Sequence, residues 1–198
     1  MHKKLFVFVP LFLVFTVIFT LITPAVAMSE DISTKVFRLH ILANSDSEDD
    51  QKLKLKVRDK ILSVSDKMYN NCATVDDAVN TAKNNIDLFE STAAKVIIDN
   101  GYTYPVKAYV TKEYFDTRKY DNFTLPAGEY DSLKIEIGSA KGHNWWCVMF
   151  PSVCISGCVD DFDKSLSNDE IKMITDGKYK YKFKVVEVYE KIKSKIIS

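Results

Sequence analysis

The residues of this 198-residue chain whose types could support chemistry are four cysteines, three histidines and several adjacent acid pairs. A cysteine nucleophile needs an imidazole within hydrogen-bond reach and a third group to orient it. His143 precedes Cys147 by four residues, and His40 is the other histidine outside the N-terminal leader. Each has a plainer reading. His40 stands between Leu39 and Ile41 in an apolar run, His143 follows Gly142 in a loop, and other cysteines near Cys147 compete for its thiol. The pairs Asp49-Asp50 and Asp76-Asp77 open helical stretches, where carboxylates complement the helix dipole without catalysis. Asp160-Asp161 reads as a solvated loop. Cys154 and Cys158 have no Cys-x-x-Cys partner pair of the kind zinc sites use. No Gly-rich phosphate loop follows a strand, and no His-Glu-x-x-His helix exists. The expectation is no catalytic residue, no metal site, no cofactor and no small-molecule substrate.

The cysteines are read as bridges. All four follow the leader, in a compartment where disulfides persist. Phe150-Pro151 lies between Cys147 and Cys154, and a proline at a strand end lets the chain fold back. This predicts a Cys147–Cys154 disulfide, with Cys72–Cys158 as the complementary pair. Asn122-Phe123-Thr124 matches a glycosylation sequon, a short pattern of low specificity.

Both tryptophans are adjacent, in the stretch Asn144-Trp145-Trp146-Cys147. Neighbouring side chains on a strand point to opposite faces, so one of Trp145 and Trp146 enters a one-sided core and the other is presented outward.

The elements that must position these residues follow from pattern. Lys3 and Lys4 precede an uncharged run over residues 5–22, and Ala25 and Ala27 supply a small-x-small cleavage site. Residues 1–27 therefore read as a signal peptide cleaved after Ala27, with an uncleaved N-terminal anchor as the alternative. Both readings export residues 28–198 as a single α+β domain. The whole chain carries 27 bases and 27 acids. The leader holds two of the bases and no acid, so the exported part is slightly acidic, which argues against nucleic acid as a partner.

Residues 35–43 read as a first strand ending at the turn Asn44-Ser45-Asp46. Ser47 with Asp50 resembles a capping box, and Leu53, Val57, Ile61, Val64 and Met68 form one helix face. Lys52, Lys54, Lys56 and Lys60 are read as its solvated side. Thr74 with Asp77 opens a second long helix, whose face is Val75, Val79, Ala82, Ile86, Phe89, Ala93 and Val96, ending at Asn100-Gly101. From Tyr104 the period becomes two. A strand over Val106, Ala108 and Val110 precedes a short one at residues 114–120. Leu133, Ile135 and Ile137 then alternate with Lys134 and Glu136 in a strand expected to form a hairpin with the Trp-Trp strand. Ser167 with Glu170 starts a short helix stopping near Asp176-Gly177, and a C-terminal helix begins at about Lys182. The architecture predicted is α+β: two long antiparallel helices packed on a mostly antiparallel sheet, with a C-terminal helix. From Lys178 onward seven lysines and two glutamates read as the wet face of an amphipathic element, the alternative being contact with an anionic membrane surface.

Two blocks carry a resemblance. Arg38-Leu39-His40-Ile41-Leu42-Ala43-Asn44-Ser45-Asp46-Ser47 is followed by Gln51, Leu53, Lys54, Lys56, Val57, Arg58 and Asp59. Later come Leu125-Pro126-Ala127-Gly128-Glu129-Tyr130, then Gly142, Asn144-Trp145-Trp146-Cys147-Val148, Phe150-Pro151 and Cys154. In this order, after an export segment, they resemble the stage II sporulation protein R family of endospore formers. Cys72, Cys158 and the tail beyond Val159 fall outside the blocks. The resemblance implies a secreted signal, made in the forespore and exported into the intermembrane space of the sporulation septum. There it is required to activate a membrane-embedded aspartic protease of the mother cell, which processes the precursor of the early mother-cell sigma factor. Such a chain is a ligand and not an enzyme. Its partner-binding candidates are Arg38, His40, Asn44, Asp46, Asn144, Trp145 and Trp146.

Two readings of other classes compete. An exported cell-wall-binding module or hydrolase at the septum predicts binding to peptidoglycan. A secreted inhibitor or scaffold predicts that the protease partner loses activity.

Overall fold

The structure is a computed structural model that describes residues 2–69, 72–151 and 159–197. Side chains at 2–9, 11, 14, 15, 17–19, 21, 22, 159, 160, 164, 178, 180–182 and 197 lie outside the description. The chain divides into two compact units, one of residues 34–113 and 130–171, the other of residues 1–33, 114–129 and 172–198.

The larger unit is built on four strands: β1 (Phe37–Leu42), β2 (Val106–Phe115), β5 (Gly128–Ile137) and β6 (Asn144–Phe150), in the order β2-β5-β1-β6. Three helices, α2 (Glu48–Tyr69), α3 (Val75–Asn84) and α4 (Ile86–Asp99), supply its other layer. The fold is α+β with a largely antiparallel sheet, and the parallel exception is central. β1 runs parallel to β5, with Leu39 opposite Leu133, and antiparallel to β6, with His40 opposite Trp146. The expected hairpin between β5 and β6 is therefore not formed, because β1 lies between them. The pattern of β1 explains its central place. Phe37, Leu39 and Ile41 join the apolar core under the helices, while Arg38 and His40 are buried on the opposite face. A strand buried on both faces belongs inside a sheet rather than at its edge.

The helix faces follow the apolar spacing. Leu53, Val57 and Ile61 of α2 and Val79, Ala82, Phe89 and Ala93 of α3 and α4 are all in this core. The second long helix is interrupted at Asn85, whose φ of −124° and ψ of 22° leave the helical region. Its side-chain amide donates to the Thr81 carbonyl at 2.8 Å, a local bond that competes with helix propagation. At Thr74 the capping box is complete: Asp77 N–H donates to Thr74 Oγ1 at 3.2 Å and Thr74 N–H to Asp77 Oδ2 at 3.0 Å. Ser167 and Glu170 cap α5 (Asn168–Thr175) in the same way.

The smaller unit contains α1 (His2–Thr34), the two-stranded ribbon β3 (Arg118–Lys119) and β4 (Thr124–Leu125), and the C-terminal helix α6 (Lys180–Ile197). Tyr120 and Phe123 stack at the ribbon's turn with ring centroids 4.6 Å apart. Phe183 and Val186 are the buried face of α6, and Lys193 pairs with Glu30 of α1 at 2.5 Å. Among the described residues no helix is long and apolar enough to cross a membrane.

Candidate functional site

Strand alternation places Glu113, Ser132, Lys134, His40 and Trp146 on the sheet face opposite the helices. There they form one connected cluster. His40 Nδ1 lies 2.9 Å from Glu113 Oε1, and its Nε2 lies 2.9 Å from Asn144 Oδ1. Ser132 donates its hydroxyl to the same Glu113 oxygen at 2.6 Å, and Lys134 reaches the other at 3.1 Å. Trp146 stacks on the His40 ring, with centroids 5.7 Å apart and planes inclined by 29°. Burial pushes the Glu113 carboxyl up, but hydrogen bonds from His40, Ser132 and Lys134, with the charge of His40, outweigh it and bring it down to about 2. At the start of β6 the cluster meets solvent: Asn144 is exposed and Trp146 half-buried.

A second network ties the turn after β1 to the β5–β6 connection. Asn44 donates to Asp50 Oδ2 at 2.8 Å, Ser45 donates to the same oxygen at 2.5 Å, and Asn44 Oδ1 accepts from Ser139 N–H at 3.0 Å. Gly142 N–H donates to the Ala43 carbonyl at 2.9 Å. A Cβ at Gly142 would stand 2.2 Å from the Ser45 carbonyl oxygen, so the close approach requires glycine. Burial pushes Asp50 up, yet the bonds from Ser45, Asn44, Tyr104 and Ser47 together hold its carboxyl below the ordinary carboxylate range. Lys54, expected on the solvated side of its helix, is instead buried. Its ammonium donates to Gln51 Oε1 at 2.6 Å and to the His143 carbonyl at 2.8 Å. Burial lowers its affinity for the proton, with Asp46 opposing and Arg58 adding to that shift. Asp46 in turn binds both the backbone N–H and the ring Nδ1 of His143.

Of the partner-binding candidates, His40, Asn144 and Trp146 are thus brought together, and Asn44 and Asp46 hold the adjoining turn. Arg38 is fully buried, with its guanidinium 4.9 Å from the Tyr130 ring centroid. Trp145 points the other way. It packs against the core under the helices, with the Arg58 guanidinium 4.4 Å above its ring. Sequence reasoning missed Glu113, Ser132 and Lys134. The alternation that places them on one face was visible, but their distance in sequence from His40 hid the pairing.

The Cys72–Cys158 expectation is corrected. Cys72 is a free thiol, half-buried 3.6 Å from the Thr81 hydroxyl, so the Cys72–Cys158 pair is not formed. Among the described residues no two cysteines stand at bonding distance. Cys154 and Cys158 lie outside the described residues, and with them the Cys147–Cys154 assignment. Cys147 itself is buried in the core on the helix side of β6, while His143 is held at the exposed end by Asp46.

A Ser-His-acid relay needs imidazole between hydroxyl and carboxylate. Here the carboxylate stands between them, and Ser132 is fully buried. Among the described residues no group of three or more His, Cys, Asp or Glu could hold a metal ion.

Comparison with known proteins places these features. The family model described as stage II sporulation protein R matches residues 33–160, a stretch containing both networks. The stage II sporulation protein R of Bacillus subtilis (strain 168) is 32% identical over 123 residues, covering 62% of this chain and 55% of the relative. The match thus spans just over half of that relative's length. No solved structure matches the chain. With the family model covering most of the chain, from the entry into β1 to just beyond β6, the chain belongs to the stage II sporulation protein R family.

Proposed function

We propose that this protein is a secreted sporulation signal. It crosses the cytoplasmic membrane into the space between the septal membranes and activates a membrane-embedded aspartic protease of the mother cell, which then processes the precursor of the early mother-cell sigma factor. It acts as a ligand and carries out no reaction of its own. The observation that carries this reading is the family match over residues 33–160. The exposed end of the His40 cluster supports the choice of surface. Asn144 and Trp146 present an amide and an aromatic ring on either side of His40, and Trp is enriched where protein interfaces concentrate their energy.

The test is co-expression of the chain with the protease and the precursor in a host that does not sporulate, scoring precursor cleavage. Cleavage should depend on the chain and on its export. Trp146→Ala, with folding verified by circular dichroism, should weaken engagement by about 2 kcal/mol and reduce cleavage accordingly. Cleavage that proceeds equally without the chain refutes the proposal. Co-sedimentation with purified peptidoglycan, with no effect on cleavage, favours the cell-wall reading instead.

A further inference from the structure

The C-terminal helix carries an apolar stripe that the fold leaves open. Val185, Val188, Tyr189, Ile192 and Ile196 of α6 are exposed, Ile192 at 55% and Ile196 at 78%. Their spacing of three, one, three and four residues keeps them on one side of an α-helix. The buried face is a different one, built on Phe183, Val186 and Glu190. At 100° per residue, Lys184, Lys191 and Lys195 flank the stripe along one edge and Lys193 along the other. Lys191 and Lys195 are exposed, whereas Lys184 pairs with Glu187 and Lys193 with Glu30. An apolar stripe bordered by lysines fits the boundary between acyl chains and anionic headgroups.

α6 is also tied to the segment that follows the apolar N-terminal run. Lys193 is fixed to Glu30, in the helix that begins with the apolar run over residues 5–22. Glu30 lies eight residues past Ile22, about 12 Å along the helix axis. Glu30 also follows Ala27, so a cut at the expected small-x-small site would leave the contact in place. We propose that α6 lies on the outer surface of an anionic bilayer, with Val188, Tyr189, Ile192 and Ile196 in the acyl boundary and Lys191 and Lys195 at the headgroups. This proposal stands on the smaller unit alone and does not depend on the protease reading.

The test uses the full chain carrying Ile192→Trp, reconstituted into phosphatidylglycerol-rich vesicles, with the parent chain as the blank for its native tryptophans. The added emission should shift to the blue, lose at least half its intensity when the lipid is brominated at shallow acyl positions, and resist aqueous acrylamide. Each lysine at an anionic surface contributes about fivefold in affinity. Adding Lys191→Glu and Lys195→Glu should therefore return the probe to water, as should replacing the lipid by phosphatidylcholine. An added emission open to acrylamide and untouched by brominated lipid overturns the proposal. Shielding from both quenchers also overturns it, because a second copy or another protein then covers the stripe. Lipid quenching that is equal in phosphatidylcholine and indifferent to the lysine swaps removes the anionic specificity and overturns it as stated.

Discussion

Replacing Glu113 by Gln probes the centre of the sheet-face cluster with one atom's change in chemistry. The carboxylate accepts from His40, Ser132 and Lys134, and only 19% of its side chain meets solvent. Its folded pKa of about 2 lies below the ordinary value of 4.5. A depressed carboxylate contributes stability that is fully present above the unfolded pKa and is lost as pH falls through the folded one. The shift corresponds to about 3 kcal/mol, which solvent screening trims to about 2. Glu113→Gln should therefore cost about 2 kcal/mol at pH 7, about 1 kcal/mol near pH 3, and little near pH 2. Urea unfolding of both proteins across that range, followed by tryptophan emission, measures the difference directly. Other acids titrate over the same interval, but they do so in both proteins and cancel. Equal stability of the two proteins at pH 7 would refute the reasoning. So would a difference that stays constant from pH 5 down to pH 2, since a cost independent of pH would be steric rather than ionic.

Gly142→Ala should destabilise by about 2 kcal/mol, because the new Cβ meets the Ser45 carbonyl oxygen at 2.2 Å and backbone must move. Gly177→Ala, where nothing lies within 4 Å, is the control and should change stability by under about 0.5 kcal/mol in the same unfolding measurement. Trp145→Ala should cost about 3 kcal/mol through lost packing and the lost Arg58 contact, while Trp146→Ala should cost about 1 kcal/mol and leave circular dichroism unchanged.

Much of the fold was legible from local pattern. The period of Leu53, Val57 and Ile61 marked a helix face, and Thr74 with Asp77 marked a helix start, because both signals arise within a turn or two of chain. The opposed directions of Trp145 and Trp146 followed from strand geometry, and the structure sends them to opposite sides of the sheet as that geometry requires. Lys54 was not legible. The helical period put it among solvated lysines, but the His143 carbonyl on a distant loop supplies an acceptor that makes its burial affordable.

The sequence by itself determined the elements, the caps and the two faces of each strand, since these depend on residues near one another in the chain. Strand order was decided only by tertiary structure. A hairpin between β5 and β6 was the shortest connection, yet β1 takes the place between them because both its faces need cover and both its edges need partners. That insertion sets His40 beside Trp146 on one side and, across β5, beside a glutamate 73 residues away. Periodicity says which face a residue occupies. Which residue of another strand stands next to it depends on how non-local backbone groups pair, and no local pattern encodes that.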